Sequence, residues 1–385
     1  MHLFFFPDIA WSHLYQRPQH LASRLARRWP VLWIEPATLG TPRAWRPEKR
    51  SDNLYVISLP QFPHNAKNRR IRQLSHFLSR IAPLRSLVTM IQRSLITRAC
   101  RILGIDPATT PAFVENFQFA PLLTSLRPAA VVFDYIDDAF GFMDLPAYVR
   151  DDWRQMIRLA DRCCATSGVL QRQLAQETTV PVELIENGVH AASYAAATIR
   201  PADLPEPGKP LIMYVGTISY WFDFDLLDAL VLRLPDANVV LIGPVHPDSA
   251  ARLNASRKFT NLHIPGVRPH ADIPAYLGAA TVGIIPFIRN RLTEAVNPVK
   301  LYEYAAAGIP VVTTAFSDDL HAFTAIARIA RTQDEFVSQV RTAIERGAGV
   351  PGPEQLRQFA RENDWDVRAA AVARLIDEAL GSRNA

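Results

Sequence analysis

One short segment carries the side chains best suited to bind an anionic ligand. Residues 297–312 read NPVKLYEYAAAGIPVV, in which Pro298 suits the first turn of a helix and Asn297 is the predicted N-cap. The free N–H groups of such a helix start form an anion site, to which Lys300 adds a positive charge. Glu303 lies on the same face, where its carboxylate would accept both hydroxyls of a ribose. The segment predicts a phosphate site beside a ribose site, and a surface helix with a Lys–Glu pair is the alternative.

A group of carboxylates offers a candidate base for proton transfer. Residues 134–138 read DYIDD and follow the apolar segment 130–133, so three carboxylates should lie at the end of a strand. Mutual repulsion raises the pKa of at least one member of such a group, which suits a general base for a hydroxyl. Asp138 is the first candidate and Asp137 the second, and a solvated turn or a helix N-cap is the alternative. His20 is the other titratable group nearby, but it falls inside a helical pattern that favours a structural role.

The sequence shows no cluster of metal ligands. Its cysteines are Cys100, Cys163 and Cys164, without a CxxC pair, and the adjacent two are predicted to be buried. The acidic residues Asp223 and Asp225 open a predicted helix, which favours helix capping over metal binding. No GxGxxG follows a predicted strand, which disfavours a dinucleotide oxidoreductase. We therefore expect no bound cofactor and no essential metal, and a reducing cytosol suits the cysteine content.

Short apolar runs alternate with helical patterns along the chain, as in parallel α/β sheets. The run at residues 3–6 is too short for a signal peptide and is predicted to be the first strand. The further predicted strands span residues 31–34, 55–59, 112–115, 130–135, 163–166, 182–185, 211–215, 239–242, 262–264, 282–286 and 310–313. The predicted helices span residues 18–28, 145–159, 168–176, 225–233, 299–307 and 354–380. This pattern predicts two doubly wound α/β sheets, with ligands at the carboxyl ends of their strands.

A proline-rich passage indicates the domain boundaries. Residues 200–210 (RPADLPEPGKP) are predicted to link two domains. The N-terminal domain then spans residues 1–199, the C-terminal domain spans 211–355, and a helical tail follows at 356–385. A chain of 385 residues is long enough for two such domains.

Positive charge is concentrated at the front of the chain. Residues 1–105 carry 17 Lys and Arg against four acids, whereas the remainder carries 25 against 33. Residues 67–105 hold nine cations and no acid, and their apolar residues recur at helical spacing on either side of Pro83. These basic amphipathic helices are predicted to rest on the anionic cytoplasmic face of the cell membrane, and packing of the apolar stripe on the first domain's sheet is the alternative. There is no run of 18 apolar residues to span a membrane and no nucleic-acid-binding motif.

Several stretches resemble, in the same order, the motifs of GT-B glycosyltransferases, especially the large family 4. Residues 297–312 are similar to the donor-binding signature of that family, in which Glu303 matches the residue that holds the nucleotide ribose. The other matching stretches are IENGV at 185–189, MYVGT at 213–217, VLIG at 240–243 and NLHIPG at 261–266. Trp11 and residues 16–22 (QRPQHLA) are similar to the N-terminal pattern of a polysaccharide and teichuronic-acid-type branch. The resemblance implies two Rossmann-like domains that face a cleft, with a C-terminal helix that returns toward the N-terminal domain.

The resemblance also implies which residues bind the donor nucleotide, with Arg268 placed to contact its base. These residues are Glu303, Asn297, Lys300, Gly216, Thr217 and Arg268. Two departures from the family pattern concern the phosphates. Ala295 replaces the first of two glutamates, with Glu294 one residue out of register, and Thr217 and Phe222 replace a basic pair. The cations left to neutralise a diphosphate are Lys300, Arg289, Arg291 and Arg17.

These features together predict transfer of a sugar from a nucleotide-diphosphate sugar to a glycan acceptor in cell-surface polysaccharide synthesis. The basic helices favour a lipid-linked acceptor. A sugar-nucleotide 2-epimerase of the same fold is one alternative, and a non-enzymatic basic binding protein is the other. The sequence leaves open the sugar, the base, the acceptor, the oligomeric state and the stereochemical course. One fold can serve reactions with different substrates and either stereochemical outcome.

Overall fold

Each of two α/β units is built around its own sheet. The computed structural model describes residues 1–37, 43–64, 68–142, 145–195 and 199–384. Unit 1 comprises Met1–Glu186 and Trp365–Ala385, and unit 2 comprises Asn187–Asp364. Of the predicted basic segment, Lys67 lies outside the described residues.

The sheet of unit 1 reverses its connection order beside its first strand. Its strands are β1 Leu3–Phe6, β2 Val31–Ala37, β3 Glu48–Ser51, β4 Leu54–Pro60, β5 Ala112–Val114, β6 Val131–Tyr135, β7 Arg162–Ala165 and β8 Val182–Leu184. They lie in the order β3-β4-β2-β1-β5-β6-β7-β8, and all pairs are parallel except β3–β4. β1 pairs with β2 on one side and with β5 on the other. Ligands of such sheets bind outside the carboxyl ends of the strands at the point of reversal.

The sheet of unit 2 is parallel and reverses beside its own first strand. Its strands are β9 Leu211–Val215, β10 Asn238–Ile242, β11 Leu262–Gly266, β12 Val282–Ile285, β13 Val311–Thr314 and β14 Ala327–Ala330. They lie in the order β11-β10-β9-β12-β13-β14. β9 therefore pairs with both β10 and β12, and the carboxyl end of β9 is the expected ligand position.

Helices connect the strands and cover the sheets. The helices are α1 Arg17–Leu25, α2 Arg69–Ser79, α3 Ala82–Leu103, α4 Ala120–Leu126, α5 Ala139–Phe142, α6 Val149–Leu159, α7 Gly168–Ala175, α8 Ala191–Ala195, α9 Phe224–Arg233, α10 Ala250–Ser256, α11 Ile273–Gly278, α12 Arg291–Glu294, α13 Val299–Ala307, α14 Gln333–Ile344, α15 Pro353–Glu362 and α16 Trp365–Asn384. Because helices cover the sheets, the central strands are buried along their length, as all four residues of β1 show. Cys163 and Cys164 in β7 are fully buried, which confirms their predicted position.

The N-terminal motif and the C-terminal helix pack against each other within unit 1. The His20 ring of α1 stacks on the Trp365 ring of α16, with 4.8 Å between ring centroids. Arg24 forms an ion pair with Asp366, and Arg28 forms one with Asp377 at 2.9 Å. The C-terminal helix therefore returns to the N-terminal unit as predicted, and His20 has a structural position.

The chain divides at other points than those predicted. The unit boundaries fall after Glu186 and after Asp364, rather than at the passage 200–210 and after residue 355. That passage packs on unit 2, because Leu204 is buried in the unit 2 core and Asp203 accepts a hydrogen bond from the Tyr276 hydroxyl at 2.7 Å. The predicted tail helix is two helices, α15 in unit 2 and α16 in unit 1.

Helices α2 and α3 turn large apolar side chains to solvent. α2 buries only Ser75 and Ser79 among its described residues. The exposed large apolar residues of the two helices and their connection, which we call the α2–α3 surface, are Ile71, Leu74, Phe77, Ile81, Leu87, Met90, Ile91 and Ile102. Most of this stripe is therefore exposed rather than packed on the sheet, whereas α3 is buried at Gln92, Ile96, Ala99 and Cys100. Within the described residues, no helix has both the length and the apolar character needed to cross a membrane.

Candidate functional site

Two glycines shape the carboxyl end of β9. Gly216 and Gly243 have φ angles of +139° and +141°, a backbone region that L side chains rarely adopt. A Cβ atom on Gly243 would lie 2.2 Å from the Gly216 carbonyl oxygen. A Cβ atom on Gly216 would lie 2.7 Å from Lys300 Nζ. The glycines therefore allow the two strand ends and the Lys300 side chain to meet.

Tyr304 fixes helix α13 against this strand end. Its hydroxyl accepts a hydrogen bond from the Val215 N–H at 3.1 Å and donates one to the Ile284 carbonyl at 3.4 Å. Its ring fills the space left by Gly283, where a Cβ atom would lie 2.4 Å from Tyr304 Cδ2. Gly308 ends the helix with φ of +73°, directly after the predicted last helical residue at position 307.

Lys300 is a half-buried cation at the reversal of the unit 2 sheet. Its Nζ lies 5.3 Å from the centroid of the Tyr214 ring and 5.2 Å from that of Phe287. Burial lowers the pKa of Lys300 to about 8, although attraction to Glu303 opposes the shift. Among the residues that the structure describes, none forms a hydrogen bond or an ion pair with the Lys300 side chain. Such a cation can bind an anion without first breaking an ion pair.

Glu303 lies beside Lys300 with only 13% of its side chain exposed. Its Oε1 is 3.9 Å from His270 Nε2, and the Tyr194 hydroxyl of α8 is directed at its carboxylate. Burial raises the pKa of Glu303, whereas His270, Lys300 and Tyr194 act in the opposite direction. The structure thus places a partly shielded carboxylate next to a cation, in the arrangement predicted for binding a ribose and a phosphate.

Asn297 does not cap the helix, so that prediction is wrong. The helix begins at Val299, and Pro298 occupies the N-cap position. Asn297 is buried and accepts hydrogen bonds from the Asn187 N–H at 2.9 Å and from the Tyr302 hydroxyl at 3.1 Å. Its side chain therefore connects the start of unit 2 to α13, and its predicted contact with the donor gains no support.

The predicted arginines of unit 2 already have carboxylate partners or are exposed. Arg268 Nε donates to Asp203 at 3.0 Å and to the Tyr276 hydroxyl at 2.9 Å. Arg289 pairs with Glu294 at 2.7 Å and with Asp318 at 3.1 Å. Arg291 is exposed at the start of α12. Lys300 remains the cation that lies at the strand end itself.

The residues at and beside the two departures from the family pattern make local contacts. Ala295 is buried, and the neighbouring Glu294 forms the ion pair with Arg289. The Thr217 carbonyl accepts a hydrogen bond from the Tyr214 hydroxyl at 2.7 Å, so the residues after Gly216 turn back onto β9. Asp223 caps α9 by accepting from the Leu226 N–H at 2.8 Å, which confirms the predicted capping role.

In unit 1, Arg17 is committed to a buried ion pair. Its Nε and Nη2 donate to the two carboxylate oxygens of Asp134 at 2.9 and 3.2 Å. Its Nη1 donates to the Glu186 carbonyl at 3.0 Å. Both charged side chains are buried. The guanidinium is therefore held by the protein, and its predicted approach to a diphosphate gains no support.

Further carboxylates lie around this ion pair at the carboxyl edge of the sheet. Asp8 and Asp137 are exposed, yet the surrounding protein reduces their solvation and raises the pKa of each to about 7. Repulsion by Asp137 and Asp134 contributes for Asp8, and repulsion by Asp138 contributes for Asp137. A carboxylate with a pKa near 7 suits general base catalysis at neutral pH.

Asp138, the first sequence candidate for the base, is buried and caps α5. Its Oδ1 accepts a hydrogen bond from the Gly141 N–H at 3.1 Å. Asp137 is exposed and is therefore the better placed of the two to contact an acceptor. The N-cap alternative thus describes Asp138, and the catalytic role of Asp137 stays a prediction.

The sequence interpretation did not single out Asp8, Glu115, Tyr194 or His270. Asp8 and Glu115 follow β1 and β5 closely, so the strand-end argument applied to residues 134–138 would also have selected them. Tyr194 and His270 reach Glu303 from separate elements, for which the sequence has no signal. No group of three or more metal-ligating side chains that could hold an ion occurs within the part of the chain that the structure describes.

The chain resembles known proteins along part of its sequence. Residues 209–345 match the family model of Glycosyl transferases group 1. A relative from Bacillus subtilis (strain 168), named "Putative teichuronic acid biosynthesis glycosyltransferase TuaH", is 24% identical over 220 residues. The match covers 55% of this chain and 55% of that protein, so it spans about half the length of the relative.

Solved structures match the fold along almost the whole chain. Sucrose-phosphate synthase from Thermosynechococcus elongatus has a TM-score of 0.71 at 16% identity, over 99% of this chain and 100% of that one. An E. coli trehalose-6-phosphate structure bound with UDP-2-fluoro glucose has a TM-score of 0.71 at 12% identity, over 98% and 99%. HepE from Anabaena in complex with UDP has a TM-score of 0.66 at 14% identity, over 98% and 100%. The chain therefore has the GT-B fold, and its residues 209–345 are similar to Glycosyl transferases group 1.

Proposed function

We propose that the protein transfers a sugar from a nucleotide-diphosphate sugar to a glycan acceptor in cell-surface polysaccharide synthesis. The observation that carries the proposal is Lys300, a half-buried cation without an ion-pair partner among the described residues, placed beside Glu303 at the reversal of the unit 2 sheet. The match of residues 209–345 to Glycosyl transferases group 1 and the similarity to the teichuronic acid biosynthesis relative support a transferase over a 2-epimerase or a non-enzymatic protein.

Each residue of the proposed reaction has one role. Lys300 binds the diphosphate of the donor, and Glu303 accepts hydrogen bonds from the ribose hydroxyls. Asp137 takes the proton of the acceptor hydroxyl as its oxygen bonds to the anomeric carbon of the donor sugar. The bond from that carbon to the diphosphate breaks, and Lys300 stabilises the negative charge on the departing nucleoside diphosphate.

The transferase and the epimerase are separated by incubation with labelled UDP- and GDP-sugars. An epimerase converts the donor alone into its 2-epimer, whereas a transferase leaves the sugar configuration unchanged and makes product only when an acceptor is added. Because we propose that the leaving diphosphate is stabilised by Lys300 without a metal, transfer should persist in EDTA. Conversion of the donor alone to its epimer would contradict the proposal.

Replacement of Glu303 by Ala should weaken nucleoside diphosphate binding by about 1.5–3 kcal/mol, the range for lost hydrogen bonds to a charged group. Isothermal titration calorimetry with UDP and GDP measures the effect. Glu362→Ala, a change of an exposed glutamate on α15, is the matched control and should leave affinity unchanged. Equal affinity of folded Glu303→Ala and the wild type would remove Glu303 from the donor site.

We also propose that the protein binds peripherally to the anionic cytoplasmic face of the cell membrane through the α2–α3 surface. Eight large apolar side chains are exposed there, with Leu74 at 57% and Phe77 at 64%. Exposed arginines flank them, including Arg69, Arg70 and Arg93, and residues 67–105 contain no acid. Apolar side chains framed by cations suit a bilayer that contains anionic lipids. Such a position gives access to a lipid-linked acceptor.

Vesicle co-sedimentation should show binding to phosphatidylglycerol-containing vesicles and much weaker binding to phosphatidylcholine vesicles. Each engaged arginine is worth about 1 kcal/mol near an anionic surface, and added salt should release the protein. The double substitution Leu74→Ser and Phe77→Ser should reduce binding about tenfold or more. Leu232→Ser, at an exposed leucine of α9 in unit 2, is the control. Equal binding to both vesicle types, or none to either, would contradict membrane docking.

A further inference from the structure

Three neighbouring strands of unit 1 bring carboxylates to one place. β1 pairs with β5, and β5 pairs with β6, all in parallel. Asp8 follows β1, Glu115 follows β5, and Asp134 lies within β6, so these groups meet at the carboxyl edge of the sheet. The place is the reversal of the connection order, where ligands of such sheets bind.

The carboxyl edge of the unit 1 sheet is negatively charged here, and Arg17 is already bound by other groups of the protein. Arg17 is the cation that acts on the group within the described residues, and Asp134 and the Glu186 carbonyl occupy its donors. The remaining groups repel one another: Asp137 and Asp134 repel Asp8, Asp134 and Asp8 repel Glu115, and Asp138 repels Asp137. An anionic ligand group would therefore add to the repulsion.

The lack of hydrogen-bond partners for Glu115 within the described part of the chain is a second indication of a ligand, separate from the negative charge. Its side chain is 2% exposed, and neither carboxylate oxygen has a hydrogen-bond partner among the described residues. The Asp8 N–H lies near enough to lower its pKa, although burial and the neighbouring carboxylates raise that pKa well above the usual value. Buried polar groups in proteins almost always have partners. A group that donates hydrogen bonds to carboxylates would satisfy both Glu115 and the exposed Asp8 and Asp137.

We propose that Asp8, Glu115 and Asp137 form an acceptor subsite that accepts the hydroxyls of an uncharged sugar and rejects a sugar with an anionic group. The proposal rests on the proposed function and specifies the substrate class of unit 1. Sugar hydroxyls donate to carboxylates, whereas a carboxylate or phosphate on the acceptor has no proton to donate and meets like charges.

Binding of methyl β-glucoside and methyl β-glucuronide to the full-length protein, measured by ligand-observed NMR, tests the subsite. At pH 8 the glucuronide should bind about tenfold or more weakly than the glucoside. The discrimination should shrink at pH 6, because Asp8 and Asp137, with pKa values of about 7, then take up protons. The glucuronide remains ionised over this range, since an ordinary carboxyl group titrates near pH 4.

Asp8→Asn and Asp137→Asn should each improve glucuronide binding relative to glucoside binding. Asp52→Asn is the matched control, because that exposed aspartate precedes β4 and lies at the opposite edge of the sheet. Equal binding of the two glycosides, discrimination that does not change with pH, or failure of both to bind would overturn the subsite. Since binding is measured without transfer, intact discrimination in a protein that transfers no sugar would count against the proposed function alone.

Discussion

Replacement of Lys300 by Met should lower turnover of the nucleotide-sugar donor by about 10²–10³-fold, the loss seen when one group that stabilises a developing charge is removed. The physical reason is the position of the ammonium group at the end of β9, where Gly216 leaves room for it and where none of the described residues forms an ion pair with it. Steady-state kinetics with the preferred donor measures the loss.

The fold should tolerate this change. Burial lowers the pKa of Lys300 from 10.5 to about 8, so the folded state disfavours the charged form that is present at neutral pH. This unfavourable contribution is fully present below pH 8 and is relieved as pH rises toward 10.5, where the unfolded chain also loses the proton. Lys300→Met removes it, so the melting temperature at pH 7 should stay the same or rise.

Lys258→Met is the matched control for Lys300→Met. Lys258 also lies near an aromatic ring, with Nζ 5.1 Å from the Phe259 centroid, but it is exposed after α10. Its replacement should leave turnover unchanged. Normal turnover in Lys300→Met, or a loss of equal size in Lys258→Met, would contradict the assignment of Lys300 to the diphosphate.

The repeating order of strands and helices was predictable because both sheets are buried on two faces. Strands such as β1 and β9 consist of short apolar runs, and the prediction gave their bounds as the structure has them. β3 was missed because its residues, EKRS, are all exposed and polar. The bounds of α13 were also predictable, since Pro298 precedes it and Gly308 ends it with a positive φ.

The roles of single polar residues were less predictable, because distant contacts decide them. Asn297 has the residue type of an N-cap, yet the main chain of Asn187 and the hydroxyl of Tyr302 hold it elsewhere. The sequence suggests that Arg17 is a surface cation, whereas in the structure it is bound by Asp134, which lies 117 residues further along the chain. Local sequence patterns contain no information on partners at such separations.

The boundary between the units was also mispredicted because it depends on contacts that the local sequence does not reveal. Residues 200–210 have the composition of a linker, and composition cannot show that Leu204 is buried in the unit 2 core. The division after Glu186 instead coincides with the stretch 185–189, which was recognised by resemblance to a family motif. Charge, in contrast, was informative, because most of the described arginines in the segment without acids are exposed.

Replacement of Asp137 by Asn should lower turnover by about 10²–10⁴-fold while nucleoside diphosphate affinity stays unchanged. A base works in its deprotonated form, and the pKa of Asp137 is raised to about 7 because the surrounding protein reduces its solvation and Asp138 repels its charge. The wild-type rate should therefore rise with pH through about 7 and then level off. Asp137→Asn should lose this rise, which pH-dependent kinetics of transfer will show.

Asp138→Asn separates the base from the cap. Asparagine is as good an N-cap as aspartate, so the hydrogen bond from the Gly141 N–H and the start of α5 should persist, and turnover should change only a few-fold. Loss of the negative charge at 138 should, however, lower the pKa of Asp137 and move the rise in rate to lower pH. If Asp138 acted only as a helix cap, without affecting the pKa of Asp137, the pH profile of Asp138→Asn would match that of the wild type. A loss in Asp138→Asn as large as that in Asp137→Asn, without a shift of the profile, would make Asp138 the base and Asp137 a neighbour of it.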